Sequence, residues 1–118
     1  MELYHNNKLL AKVKLYNNIL LKFKGLMFSR KLKHLEGILL VSNNESILQT
    51  SIHMLFVFYP IDVLWLNKDF KVVDKKESVK PFTINIKPKF KAKYVLELPV
   101  NSVKSVKIGE TLIKNSSL

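Results

Sequence analysis

Ile61-Asp62-Val63-Leu64-Trp65-Leu66-Asn67-Lys68-Asp69-Phe70-Lys71-Val72-Val73 is the stretch whose reading decides the fold. An apolar run rich in β-branched and aromatic side chains ends at Asn67-Lys68-Asp69, and a second run, Phe70 to Val73, follows at once. That order predicts a strand, a hairpin loop and a returning strand. Similar signals recur on both sides. Leu9 to Leu15 contains Lys12-Val13-Lys14-Leu15, which alternates with the period of a half-wet strand. Gly37-Ile38-Leu39-Leu40-Val41 is a short apolar run that Ser42-Asn43-Asn44 should end as a turn. Tyr94-Val95-Leu96-Glu97-Leu98 is a further strand stopped by Pro99, and Thr111 to Lys114 is a candidate last one. Short strands at short spacing predict a mainly β fold: a compact β-sandwich or partly closed barrel with one or two short helices. A chain of 118 residues fits a single domain, 1–118, and no linker-like stretch or internal repeat divides it.

Two segments carry helix signals. Asn17-Asn18 is either a hairpin turn, with Ile19, Leu21 and Phe23 facing in, or the start of a helix capped by Asn18. In the second case the helix ends near Gly25 and places Leu20, Phe23 and Met27 on one face. A second short helix is expected at Ser102 to Val106, before Gly109.

Charge is the strongest compositional feature. Twenty basic residues face nine acidic ones, a net charge of +11, and Arg30 is the sole arginine. The excess is uneven: residues 1–34 carry eight basic residues and one acid, 35–67 no basic residue and three acids, and 68–93 nine basic residues and three acids. A neutral centre flanked by basic blocks attracts polyanions. Lysine acts as a point charge and lacks the planar fork that reads bases, so phosphate contact without sequence preference is the expected mode. Cysteine is absent, which excludes disulfides, thiolate metal sites and a cysteine nucleophile. No basic, apolar leader precedes the first strand, and the apolar stretch Met54 to Ile61 is too short to span a bilayer. A cytoplasmic protein with no membrane partner is expected.

Five fragments in order have a further meaning: Gly25-Leu26-Met27-Phe28, Glu36 to Val41, Pro60 to Asn67, Tyr94 to Pro99, and Ile108-Gly109-Glu110. Together, over about residues 9–114, they resemble the small uncharacterised family known as domain of unknown function 192. The resemblance implies a compact β-sandwich or partly closed barrel, with a short helix leading into the Gly-Leu-Met turn; it implies no activity. It favours the helical reading of residues 18–27. Two departures matter. Lys22 stands where members often carry arginine, and Leu55, Phe56 and Val57 stand where many carry Lys-Asn-Thr. If those polar groups build a ligand site in other members, part of it is lost here.

Candidate chemistry is sparse. Asp62 lies inside an apolar strand, so it is either a general base or ligand anchor, or a structural carboxylate held by backbone N–H groups, Arg30 or Lys22. His53, between Ile52 and Met54, reads as a histidine bonded to backbone more readily than as a metal ligand with Asp62 and His34, because no ligand spacing joins them. There is no nucleophile elbow and no phosphate loop, and no cofactor is expected. The basic rows are stronger. Lys87, Lys89, Lys91 and Lys93 alternate with Pro88, Phe90, Ala92 and Tyr94, so an extended chain projects four ammonium groups to one side, about 7 Å apart, with Phe90 and Tyr94 facing the core. Lys12, Lys14, Lys22, Lys24, Arg30, Lys31 and Lys33 form the second block. Both rows also fit the solvated faces of amphipathic strands.

Three functions follow. The first is a non-enzymatic basic domain binding RNA or a ribonucleoprotein particle through these lysines. The second is a small-ligand or glycan-binding module with a cleft near His53, Asp62 and Trp65, which requires Trp65 to line a pocket. The third is an enzyme acting through Asp62, which requires an open cleft at Asp62; the sequence leans away from it.

Overall fold

The computed structural model describes residues 1–115, and at Ile19 and Leu20 the backbone alone, so the core-facing roles expected of those two side chains lie outside the described residues. The mainly β expectation holds in the form of one seven-stranded mixed sheet, not closed into a barrel. Its elements are β1 (Glu2–His5), β2 (Lys8–Tyr16), α1 (Ile19–Lys24), β3 (Glu36–Ser46), β4 (Ile61–Leu66), β5 (Val72–Val79), β6 (Ala92–Pro99) and β7 (Ile113–Lys114). The strand order is β5-β4-β6-β3-β2-β1-β7. Every pairing is antiparallel except β2 with β3, which α1 connects.

Local chemistry explains these elements. β1 and β2 join through Asn6 and Asn7, both at positive φ (50° and 65°), the conformation a two-residue hairpin loop needs and asparagine tolerates. Between β4 and β5 the Asn67 carboxamide oxygen accepts from the N–H groups of Asp69 and Lys71, at 2.9 and 3.0 Å, and closes the expected hairpin loop. Asn18 caps α1: its side chain accepts from the Leu21 N–H at 2.9 Å. The helical reading of this segment is therefore the observed one.

The alternation of β4 divides the core in two. Leu64 and Leu66 join Leu3, Ala11, Leu39, Leu96, Leu98, Val103 and Val106 on the inner face. Ile61, Val63 and Trp65 join Ile38, Leu40, Ile52, Met54, Ile86 and Val95 on the outer face, which the connections after β3 and β5 cover. Across the inner core an isolated bridge, Lys71 to Thr111, ties the start of β5 to the approach to β7. The two edges of the sheet are thus drawn together without continuous strand pairing.

Four local expectations are corrected. Ser42-Asn43-Asn44 is no turn; β3 runs through it to Ser46, with the Ser42 hydroxyl held by the carbonyls of Asn44 and Lys93 at a shift in the β3–β6 register. Ser102 to Val106 forms turns, with the Val106 N–H on the Val103 carbonyl, and no second helix appears there. Phe23 is 68% exposed, not a core residue. Phe90 is 63% exposed, because β6 begins only at Ala92. Upstream of it Pro88 has no N–H and the Lys89 N–H is spent on the Asp74 carboxylate, so the period-2 alternation fails at Phe90. No helix among the described residues is long and apolar enough to cross a membrane.

Candidate functional site

The cleft expected near His53, Asp62 and Trp65 does not form, because the three side chains go to different places. Asp62 lies between two residues of the outer core and so points to the inner face, where it is completely buried. One carboxylate oxygen accepts from the Ser78 N–H at 2.9 Å; the other accepts from Ser102 and Val103 at 3.0 and 3.3 Å. Three backbone donors satisfy the charge and leave no solvent path, so neither the general-base role nor a partnership with Arg30 or Lys22 survives. Trp65 is also fully buried, its indole N–H donating to the Thr50 carbonyl at 2.8 Å. It lines no pocket.

His53 does line a cavity. Its Nδ1 accepts from the Leu55 N–H at 3.2 Å, so Nε2 carries the proton and donates to the Phe23 carbonyl, also at 3.2 Å. Both ring nitrogens are committed to backbone, as the structural reading of this histidine requires, and the ring leans on Phe23 with centroids 5.7 Å apart.

The cavity is a half-open cleft of about 390 Å³ between α1, β3, β6 and the segment 49–53. That is ample for a small molecule. Leu40, Ile52 and Val95 give it apolar walls, and Ser42, Gln49 and Ser51 give it polar edges. Its distinctive residue is Glu97, which sequence reading passed over. Cross-strand register sets Glu97 beside Ile38 on β3 and Val63 on β4, both in the outer core. Only 4% of it is exposed, and its Oε1 has no hydrogen-bond partner among the described residues. Burial without compensation pushes its carboxyl up to about 7. The group therefore holds its proton far more firmly than an exposed glutamate does. It can donate one hydrogen bond when protonated, or accept from a cation or paired N–H donors when ionised.

Gly25 opens the space beside it. This residue ends α1 with φ 48° and ψ −122°, and its N–H bonds to the Leu21 carbonyl. Positive φ in that region favours glycine, and a Cβ placed there would stand 3.7 Å from Glu97 Oε1. Lys22, half-buried, and Lys24, exposed, line the same cavity. Neither is ion-paired with Glu97, and the Lys24 ammonium instead donates to the Ser29 hydroxyl at 3.0 Å.

The remaining basic residues divide. Arg30 grips Glu36 through two bonds of 2.9 Å, which together with the Lys33 N–H pushes the Glu36 carboxyl down to about 2. Arg30 is thus already engaged. Lys12 reaches Glu2 at 4.0 Å, while Lys14, Lys31 and Lys33 are exposed. Lys87, Lys89 and Lys91 are exposed on irregular chain, not on a strand face, and Lys93 is half-buried with its ammonium on the Asn43 carbonyl at 3.2 Å.

Comparison with known proteins agrees with this architecture. A Novosphingobium aromaticivorans protein of unknown function superimposes with a TM-score of 0.84 at 18% identity, covering 96% of this chain and 82% of the other. A Sinorhizobium meliloti structure gives 0.81 at 24% identity, covering 87% and 81%. These likenesses show the fold. The UPF0127 protein of Thermococcus kodakarensis is 35% identical over 100 residues, 85% of this chain but 61% of that protein. This chain thus spans about three-fifths of that relative's length. A Pyrococcus furiosus UPF0127 protein is 35% identical over 102 residues, 85% of this chain and 84% of its own. Residues 2–113 match the DUF192 family, described as Uncharacterized ACR, and the chain belongs to that family.

Proposed function

We propose that the protein binds a small molecule in the cavity between α1 and β6, and that the Glu97 carboxyl selects it. The observation that carries this reading is an unpartnered Oε1 on a buried glutamate that lines a cavity of ligand size. A buried acceptor without a partner is costly to keep, and a ligand donor removes that cost. The complementary ligand has an amine, guanidine or amide N–H at one end and a body that fits apolar walls. With one carboxyl in the cavity and Asp62 on the opposite face, the arrangement supports binding more than paired acid–base catalysis. Thermal-shift screening with a panel of amines, guanidines and nucleosides tests it. At least one class should stabilise the wild type and fail to stabilise Glu97→Gln. If no class stabilises the protein, or the variant responds equally, the site is not Glu97.

A second reading keeps the basic surface as a binding site for RNA or a ribonucleoprotein. One observation favours it: among the described residues only Lys12, Arg30 and Lys75 meet a carboxylate within 4.0 Å, so most of the net charge is uncompensated. Replacing Lys87, Lys89 and Lys91 by Gln should then lower the salt slope of oligoribonucleotide binding by about 2. An unchanged slope removes that segment from the interface.

A further inference from the structure

Four phenylalanines form a knob on the surface, outside the cavity. Phe28, Phe56, Phe58 and Phe82 are 68, 44, 62 and 47% exposed. They come from three separate connections, between α1 and β3, β3 and β4, and β5 and β6. The rings touch one another: Phe28 stacks on Phe56 with centroids 4.8 Å apart, Phe58 meets Phe82 edge-on at 5.3 Å, and Phe56 meets Phe82 at 6.2 Å. The Phe28 N–H also bonds to the Phe56 carbonyl at 2.9 Å, which locks two of the connections together. Phe28, Phe56 and Phe82 all sit at positive φ (55°, 55° and 62°), a backbone region that bulky residues rarely adopt. Folding thus holds strained backbone in three places where the side chains stay about half or more in water. A contiguous exposed aromatic patch of this kind marks an interaction surface.

The charges around it indicate what it meets. Residues 47–60 carry no Asp, Glu, Lys or Arg. The segments that carry Phe28 and Phe82 also carry Arg30, Lys31 and Lys33, and Lys80, Lys87, Lys89 and Lys91, with no acid from residue 25 to 35 or from 80 to 91; Arg30 is held by Glu36, and the lysines are exposed. An apolar tip on segments this rich in exposed lysine repels a second copy of itself. Its rings are packed on one another, which leaves few free faces for nucleobases to stack between. An anionic bilayer needs no matching shape: it accepts the rings at its interface and the ammonium groups at its headgroups.

We infer that the Phe28–Phe56–Phe58–Phe82 knob docks peripherally on anionic lipid membranes, with the flanking lysines holding the headgroups. This departs from the absence of a membrane partner expected from sequence, and concerns contact with the interface, not spanning. The test is co-sedimentation with vesicles made of equal parts phosphatidylcholine and phosphatidylglycerol, against pure phosphatidylcholine. The wild type should sediment with the anionic vesicles alone. The double variant Phe28→Ser/Phe58→Ser should lose on the order of 100-fold in partitioning, the value of two rings leaving an apolar phase. Its melting temperature should stay within a few degrees of the wild type, since both side chains are exposed; if it unfolds, Phe58→Ser alone is read in the same assay. Three results overturn the proposal: no sedimentation with anionic vesicles, sedimentation unchanged in the variants, or a knob whose removal instead abolishes dimerisation or oligoribonucleotide binding.

Discussion

Replacing Glu97 by glutamine should change how stability depends on pH, in a direction that its burial fixes. The folded carboxyl holds its proton up to about 7, whereas the unfolded side chain releases it near 4.5. Between those values the native state binds more protons than the unfolded state, so stability falls as pH rises. The slope is about 1.4 kcal/mol per pH unit, and the whole loss, complete above pH 7, is about 3 kcal/mol. Glutamine has the same shape and no proton to release, so the variant lacks this slope. Glu36 and Glu110 act in the opposite sense: both are lowered, so the stability they add is present above the ordinary carboxylate range and lost on acidification below it. They and the histidines occur in both proteins and cancel in the difference. Urea unfolding of the two proteins, at steps between about pH 5 and pH 8, gives that difference directly. Over that window it should move by about 2.5 kcal/mol in favour of Glu97→Gln as pH rises. A difference that stays constant across the range would mean that Glu97 is solvated or paired in solution, and would remove the basis for the cavity as a binding site.

Other substitutions separate structural groups from site groups. Asp62→Ala strands the N–H groups of Ser78, Ser102 and Val103 in the core and should cost about 3 kcal/mol in urea unfolding, while ligand-induced shifts at the cavity persist. Gly37→Ala brings a Cβ to 2.9 Å from Leu98 Cδ2, 3.1 Å from Val13 Cγ1 and 3.3 Å from the Glu97 carbonyl oxygen. It should lower stability by about 1–3 kcal/mol, seen as a drop in melting temperature; an unchanged melting temperature would mean β6 yields freely there. Lys22→Arg places a longer, planar cation in the Glu97 cavity, so it should draw the Glu97 carboxyl down and flatten the pH dependence described above. A Lys22→Arg curve that overlays the wild type would show that this side chain does not reach the carboxyl.

Much of the sheet was legible because its signals are local. Ile61–Leu66 reads as a strand from six residues alone, and it is β4 with those bounds. Asn67 closes the following loop with its own side chain, within four residues. Asn6-Asn7 carries an equally local hairpin signal, and it joins β1 to β2. Long-range terms were not legible. Ser42-Asn43-Asn44 has turn chemistry, but β6 supplies a partner 51 residues away and the segment stays extended. Lys87 to Lys93 alternates like a strand, but Asp74 takes the Lys89 N–H from outside and the alternation breaks at Phe90. Nothing in either stretch encodes those partners.

The same limit applies to two buried acids of the sheet. Asp62 and Glu97 are alike in sequence: each is a lone carboxylate inside an apolar strand, flanked by Ile61 and Val63 or by Leu96 and Leu98. Both are buried in the structure. They differ in what the far chain brings to them. Residues 16, 40 and 41 positions downstream deliver three N–H groups to Asp62 on the inner face. On the outer face Glu97 meets Ile38, Val63 and a glycine that leaves the space beside it open. Burial alone therefore does not tell which carboxylate is satisfied; the count of donors does. Asp62 has its full set and stabilises the fold as it stands. Glu97 lacks a partner for Oε1, which raises its pKa and costs stability that nothing in the described chain returns. A ligand donor in the adjoining cavity would return it, and that imbalance is why the cavity is read as a binding site and the core aspartate is not.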